Sequence, residues 1–133
     1  MVPEIDESDW PIVRLTFGPS ITFEEIDELA RRLKGIHGRL GPMVTVTDIS
    51  AMSATATTAR HRQRIAQEAD DLSRKGALLG EAVVIRNPIV RALFVGYNWL
   101  KTTSFPSRAF DDSASAAAWA RTLLKADRIA SKR

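Results

Sequence analysis

Four short apolar runs alternate with four amphipathic stretches along this chain, and that alternation limits its fold more than any other feature. Trp10–Phe17 (WPIVRLTF), Pro42–Ile49, Glu81–Arg86 and Phe105–Phe110 carry the branched and aromatic residues of strands. The stretches between and after them have helical spacing. The resulting order, β-α-β-α-β-α-β-α, predicts an α/β domain. Its sheet would be mixed, largely parallel and four- to five-stranded, covered by about four helices. Glu81–Arg86 is almost continuously apolar, as a central buried strand would be. Pro106 lies inside Phe105–Phe110, which is therefore expected at an edge.

The first helix has the clearest local signature. Thr22 with Glu25 three residues later forms a capping box, and Ile21 and Ile26 are spaced for a hydrophobic staple. Phe23, Ile26, Leu29, Ala30, Leu33 and Ile36 share one face. Acidic residues fill the early turns and basic residues the later ones, which complements the helix dipole. Gly35, Gly38 and Gly41 are expected to end it. Helix two starts at Thr57 or Thr58 and runs to about Lys75, with a narrow apolar face that suits a surface position. Asn87-Pro88 should cap helix three, Ile89–Lys101. Asp112 or Ser113 should cap helix four, on which Trp119 shares a face with Ala116, Ala120 and Leu123. Residues 1–9 are expected as a flexible leader, 10–128 as a single domain, and 129–133 as a frayed tail.

Composition removes several functions. The 133 residues contain no cysteine, so thiolate catalysis, disulfides and cysteine-held metal centres are excluded. Only two histidines occur, His37 and His61, on different elements and without metal-ligand spacing. No metal or other cofactor is expected. The start of the chain lacks a signal-peptide pattern, and Ile89–Leu100 is too short to span a bilayer, which suits a cytoplasmic protein. The net charge of +3 comes from interspersed charges and does not argue for nucleic acid.

Met43–Arg64 is the stretch with most chemistry. An apolar strand ends in Asp48, a loop rich in Ser, Thr and Ala follows, and a basic helix begins. Strand ends of this kind usually form the working edge of an α/β sheet. Asp48, Ser50, Ser53, Thr57 and Thr58 are the candidate docking or phospho-switch residues. A phosphate at Thr57 would meet a helix N-terminus. Arg60, Arg62 and Arg64 are candidate anion contacts. The plainer alternative is that Asp48 and one hydroxyl cap the turn and the helix, while the arginines form a solvated face. Helix three is apolar round most of its circumference, with Arg91 and Asn98 on the remaining sector. Sheet packing needs only part of that surface. Phe94, Tyr97 and Trp99 are therefore candidates for a homodimer face or an apolar-ligand surface.

The segments VTVTDIS, EAVVIRNPIVRALF and RAFDDSASAAAWA resemble the STAS-like small bacterial proteins. These are relatives of the sporulation anti-sigma-factor antagonists, with a CRAL-TRIO-like α/β architecture. The match in pattern runs from Asp48 through Arg60–Arg64, Ala82–Ile85 and Ile89–Leu100 to Phe110, Ala118 and Trp119. It is nearest to stand-alone members of unassigned function. In the antagonists an Asp-Ser pair and a Gly at a helix start form the phosphorylation switch. The pair would fall here on Ala56-Thr57, followed by Thr58 and Ala59, so the acidic residue and the glycine are absent. The resemblance implies a non-enzymatic interaction or regulatory module that docks another protein through 48–64. The CRAL-TRIO relatives suggest an alternative, a carrier of a small apolar molecule or lipid near helix 89–100. A carrier requires an apolar cavity, a docking module a filled core and an exposed patch.

Overall fold

The computed structural model describes residues 2–53, 55–92 and 105–131. Five strands form one sheet in sequential order: β1 (Glu4–Asp9), β2 (Ile12–Thr16), β3 (Met43–Asp48), β4 (Leu78–Val84) and β5 (Ser107–Phe110). β1 and β2 are antiparallel, and every other neighbouring pair is parallel. The helices are α1 (Phe23–Leu40), α2 (Ala59–Arg74), α3, described at 88–92, and α4 (Ser113–Ser131). The expected mixed, mostly parallel α/β sheet is present, with β5 at its edge.

Period-two alternation divides the core into two layers. Val13, Leu15, Phe17 and Met43 face one side, where they meet Ile26, Leu29, Leu33 and Ile36 of α1 and Leu72 of α2. Ile12, Val44, Val46, Ala82 and Val84 face the other, against Ala116 and Ala120 of α4. Trp119 and Leu123 border that second layer, as the spacing on helix four predicts, and Trp119 lies 5.8 Å from the Phe110 ring.

Three expectations are corrected. Residues 4–9 are not a loose leader but the edge strand β1, hydrogen-bonded to β2 through the turn at Trp10-Pro11. Its sequence, EIDESD, buries little, so strand pairing rather than burial holds it. α1 does not stop at Gly35 or Gly38. Each interior glycine costs about 1 kcal/mol, and burial of Leu33 and Ile36 offsets it. The helix ends at Gly41, where φ is 102°. β4 begins three residues earlier than expected, at Leu78.

That early start includes a bulge. Met43 pairs with Leu78 and Val44 with Gly80, which leaves Leu79 as an extra residue on β4. Leu78 packs in the α1–α2 layer and Leu79 beside the α4 layer. A β-carbon on Gly80 would lie 2.3 Å from Leu123 Cδ1 of α4. Leu79 and Gly80 therefore both face α4. Beyond the bulge Ala82 faces α4, and Glu81 and Val83 point toward α1 and α2.

Candidate functional site

The loop and helix start at 48–64 are knitted into the fold. Asp48 Oδ1 accepts the Ser50 N–H at 2.9 Å, and Asp48 Oδ2 lies 3.7 Å from the Arg86 guanidinium. Ser50 Oγ accepts the Arg86 N–H and donates to Val84 O at 3.5 Å. Asp48 and Ser50 thus tie the ends of β3 and β4 together. Ser53 Oγ bonds the Thr55 hydroxyl and accepts the Ala56 N–H. Thr57 is buried at 1% exposure, so a phosphate could reach it only if the loop opened.

Thr58 is the N-cap of α2, and His61 takes the place of the usual Glu or Gln in the capping box. Thr58 Oγ1 and His61 Nδ1 are 2.7 Å apart, which superficially resembles a nucleophile and base. However, Nδ1 also accepts the Thr58 N–H, the hydroxyl accepts the His61 N–H, and the imidazole stacks on Phe23 at 4.4 Å. These contacts describe a cap anchored to α1. Arg62 donates to Thr57 O at 2.7 Å, and Arg64 bridges Asp27 (2.7 Å) and Glu68 (3.3 Å). Arg60 and Arg62 are both exposed and without an ion pair among the described residues, and of the two Arg62 alone is tied down, by its bond to Thr57 O. Phe94, Tyr97 and Trp99 lie outside the described residues, and with them the expected dimer or ligand face of helix three. The opening of α3 is capped by Asn87, whose Oδ1 accepts the Ile89 and Val90 N–H groups. Both of those apolar side chains are exposed.

A different region gathers unspent chemistry. Between the sheet and helices α1 and α2 lies an open-sided cavity of about 160 Å³. Leu15, Phe17, Ile26, Leu33, Ile65 and Leu72 are among its apolar lining residues. Its floor is polar. Thr45 of β3, Glu81 of β4 and Ser107 of β5 are register partners across three strands, and all line the cavity. Thr47, one pleat further along β3, lines it too.

Glu81 is half-buried and lines the cavity. Burial pushes its carboxyl above the ordinary range, and the Thr47 hydroxyl opposes that shift only partly. No cation pairs with it among the described residues. Thr47 is 3% exposed, and its Oγ1 makes no hydrogen bond of normal geometry. Two other charged side chains line the cavity, Arg62 and Glu68, and both already have partners. No group of three or more His, Asp or Glu with metal-holding geometry occurs among the described residues.

Sequence reasoning placed Glu81 only at a strand start, where a glutamate ordinarily faces water. The available signal was its position between LLG and AVV, a charge inside an apolar run. Its burial became legible only with the bulge and the register.

The fold defines the class. The chain is similar in structure to an uncharacterized protein of the DUF3478 family with a SpoIIAA-like fold, from Shewanella loihica PV-4. The TM-score is 0.59 at 16% identity, over 89% of this chain and 91% of that one. This establishes a STAS-like α/β fold. No family model and no curated protein matches the sequence. No helix among the described residues is long and apolar enough to cross a membrane.

Proposed function

We propose that this chain is a non-catalytic binding module that takes a small apolar molecule between its sheet and helices α1 and α2. The observation that carries this reading is the apolar cavity of about 160 Å³ with an open side. A cavity of about 150 Å³ lined by Leu, Ile and Phe stays dry and holds benzene. Pockets for drug-sized ligands begin at about 300 Å³. The guest is therefore small, or only its apolar end is enclosed. Docking through 48–64 has less support, because Asp48, Ser50, Ser53 and Thr58 spend their polar atoms on the turn and cap, and Arg62 and Arg64 on internal partners.

Titration with benzene, followed through backbone amide resonances, tests the proposal. Saturable shifts should concentrate at Thr45–Thr47, Ile65–Leu72 and Glu81–Val83. Filling the cavity with Ala69→Phe should abolish them while the rest of the spectrum persists. Absence of saturable shifts in the unmodified protein would overturn the reading.

A further inference from the structure

The cavity floor restricts which apolar molecule fits, an inference that rests on the binding reading above. A closed apolar core has no use for a glutamate. Its desolvation is costly unless a partner compensates it, and such groups are normally paired. Here the β4 bulge turns Glu81 toward the cavity rather than toward α4, and no described cation meets it there. Beside it on the same floor lies the Thr47 hydroxyl, 3% exposed, which makes no hydrogen bond of normal geometry and offsets the burial of Glu81 only in part. Thr45 and Ser107, the register partners of Glu81, continue the row. An ionised carboxylate only accepts hydrogen bonds. A partner that donates is therefore the one that stabilises Glu81 in its charged form.

We propose that the cavity takes an apolar molecule with a hydrogen-bond-donating head, seated on Glu81 and Thr47, in the order amine before alcohol, and that it rejects anionic amphiphiles. The apolar tail lies against α1 and α2. The head occupies the row Thr45–Glu81–Ser107 and donates a hydrogen bond to the carboxylate. An ammonium adds opposite charge to the hydrogen bond, which makes it the strongest donor of the series. A carboxylate head would confront Glu81 with a like charge.

Hexylamine, hexanol and hexanoate share one tail and differ in the head, so their relative affinities at pH 7 read the floor directly. Amide-resonance titrations of the full chain should rank them in that order. Hexylamine should bind at least about tenfold more tightly than hexanoate, as a charge-assisted pair predicts against a like-charge contact. The net charge of +3 would favour the anion non-specifically, so an amine preference would not arise from the overall field. Glu81→Gln should remove most of that preference and leave hexanol binding within about threefold, because a neutral amide still pairs with an alcohol. Thr47→Val should weaken hexanol and hexylamine alike while the ranking stays. Equal or tighter binding of hexanoate overturns the inference, as does an amine preference that survives in Glu81→Gln; in either case the cavity reading stands. Binding of none of the three, together with failure of benzene, removes both.

Discussion

The two faces of the sheet are built from the same five strands yet differ in kind. On the α4 side Ile12, Val44, Val46, Ala82 and Val84 meet Ala116 and Ala120, all buried and all apolar. Small residues on both partners let α4 approach closely, and at Gly80 a single added methyl group meets Leu123 and lies 3.2 Å from Pro106 O. On the α1–α2 side the same strands present Thr45, Thr47, Glu81 and Ser107 beneath a cavity. The difference teaches that burial alone does not identify a core. One face is apolar throughout and leaves no polar group to satisfy. The other is a buried apolar core as well, yet it leaves Glu81 and the Thr47 hydroxyl beside an unfilled space that a guest can occupy.

Truncation should separate the faces most strongly. Ile12 is 2% exposed in the filled layer, so Ile12→Ala loses apolar burial and leaves a new void, at a cost of about 3–5 kcal/mol. Leu72 borders a space that already exists, so Leu72→Ala forfeits fewer contacts, at about 2–3 kcal/mol. Paired denaturant titrations check this. Equal losses at the two sites would erase the distinction.

Crowding should hurt only the filled face. Gly80→Ala places a β-carbon 2.3 Å from Leu123 Cδ1. That side chain is flexible at its end, but the Pro106 carbonyl on the backbone gives less. The expected cost is about 1–3 kcal/mol, the usual range for overpacking. A neutral result by thermal unfolding would mean that α4 is seated more loosely than its small residues imply.

Titration should register the polar face. The Glu81 pKa is raised above 4.5, so above that pH the folded protein binds more protons than the unfolded chain. The Glu81 contribution to stability is therefore greatest below pH 4.5 and falls as pH rises through the folded-state pKa. Glu81→Gln does not titrate. Its stability should match that of the parent most closely in acid and increasingly exceed it toward neutral pH. Asp71 and Asp112, held low by hydrogen bonds from Lys75 and Ser115 respectively, lose their contributions in acid in both proteins, so the difference isolates Glu81. A constant difference across pH would mean that Glu81 ionises like an exposed glutamate.

How far these contrasts were legible beforehand depended on whether the signal was local. The capping box at Thr22 and Glu25, the staple of Ile21 and Ile26, and the alanine face of α4 all lie within one helix, and all appear as expected. β1 escaped notice because EIDESD pairs through its backbone and buries little. Asp48, Ser50 and Thr58 were visible as polar residues at a strand end. That they serve the turn and the cap depends on partners as distant as Val84 and Arg86. Glu81 was least legible. Its direction depends on one extra residue in β4, and a one-residue change of phase exchanges the faces of everything that follows.

The smallest test concerns one hydroxyl. Thr47→Val keeps the shape of the side chain and replaces an oxygen that makes no hydrogen bond of normal geometry. In a filled core an orphan of this kind costs about 1–3 kcal/mol, so its removal should stabilise the empty protein by about 1 kcal/mol. A bound donor would reverse the sign, because the parent gains a hydrogen bond that valine cannot make. The comparison is therefore between melting temperatures with and without saturating hexanol. Thr47→Val should melt above the parent when empty and lose that advantage when loaded. If its advantage is the same in both conditions, the hydroxyl does not touch the guest, and the polar floor of this face narrows to Glu81 and its register partners.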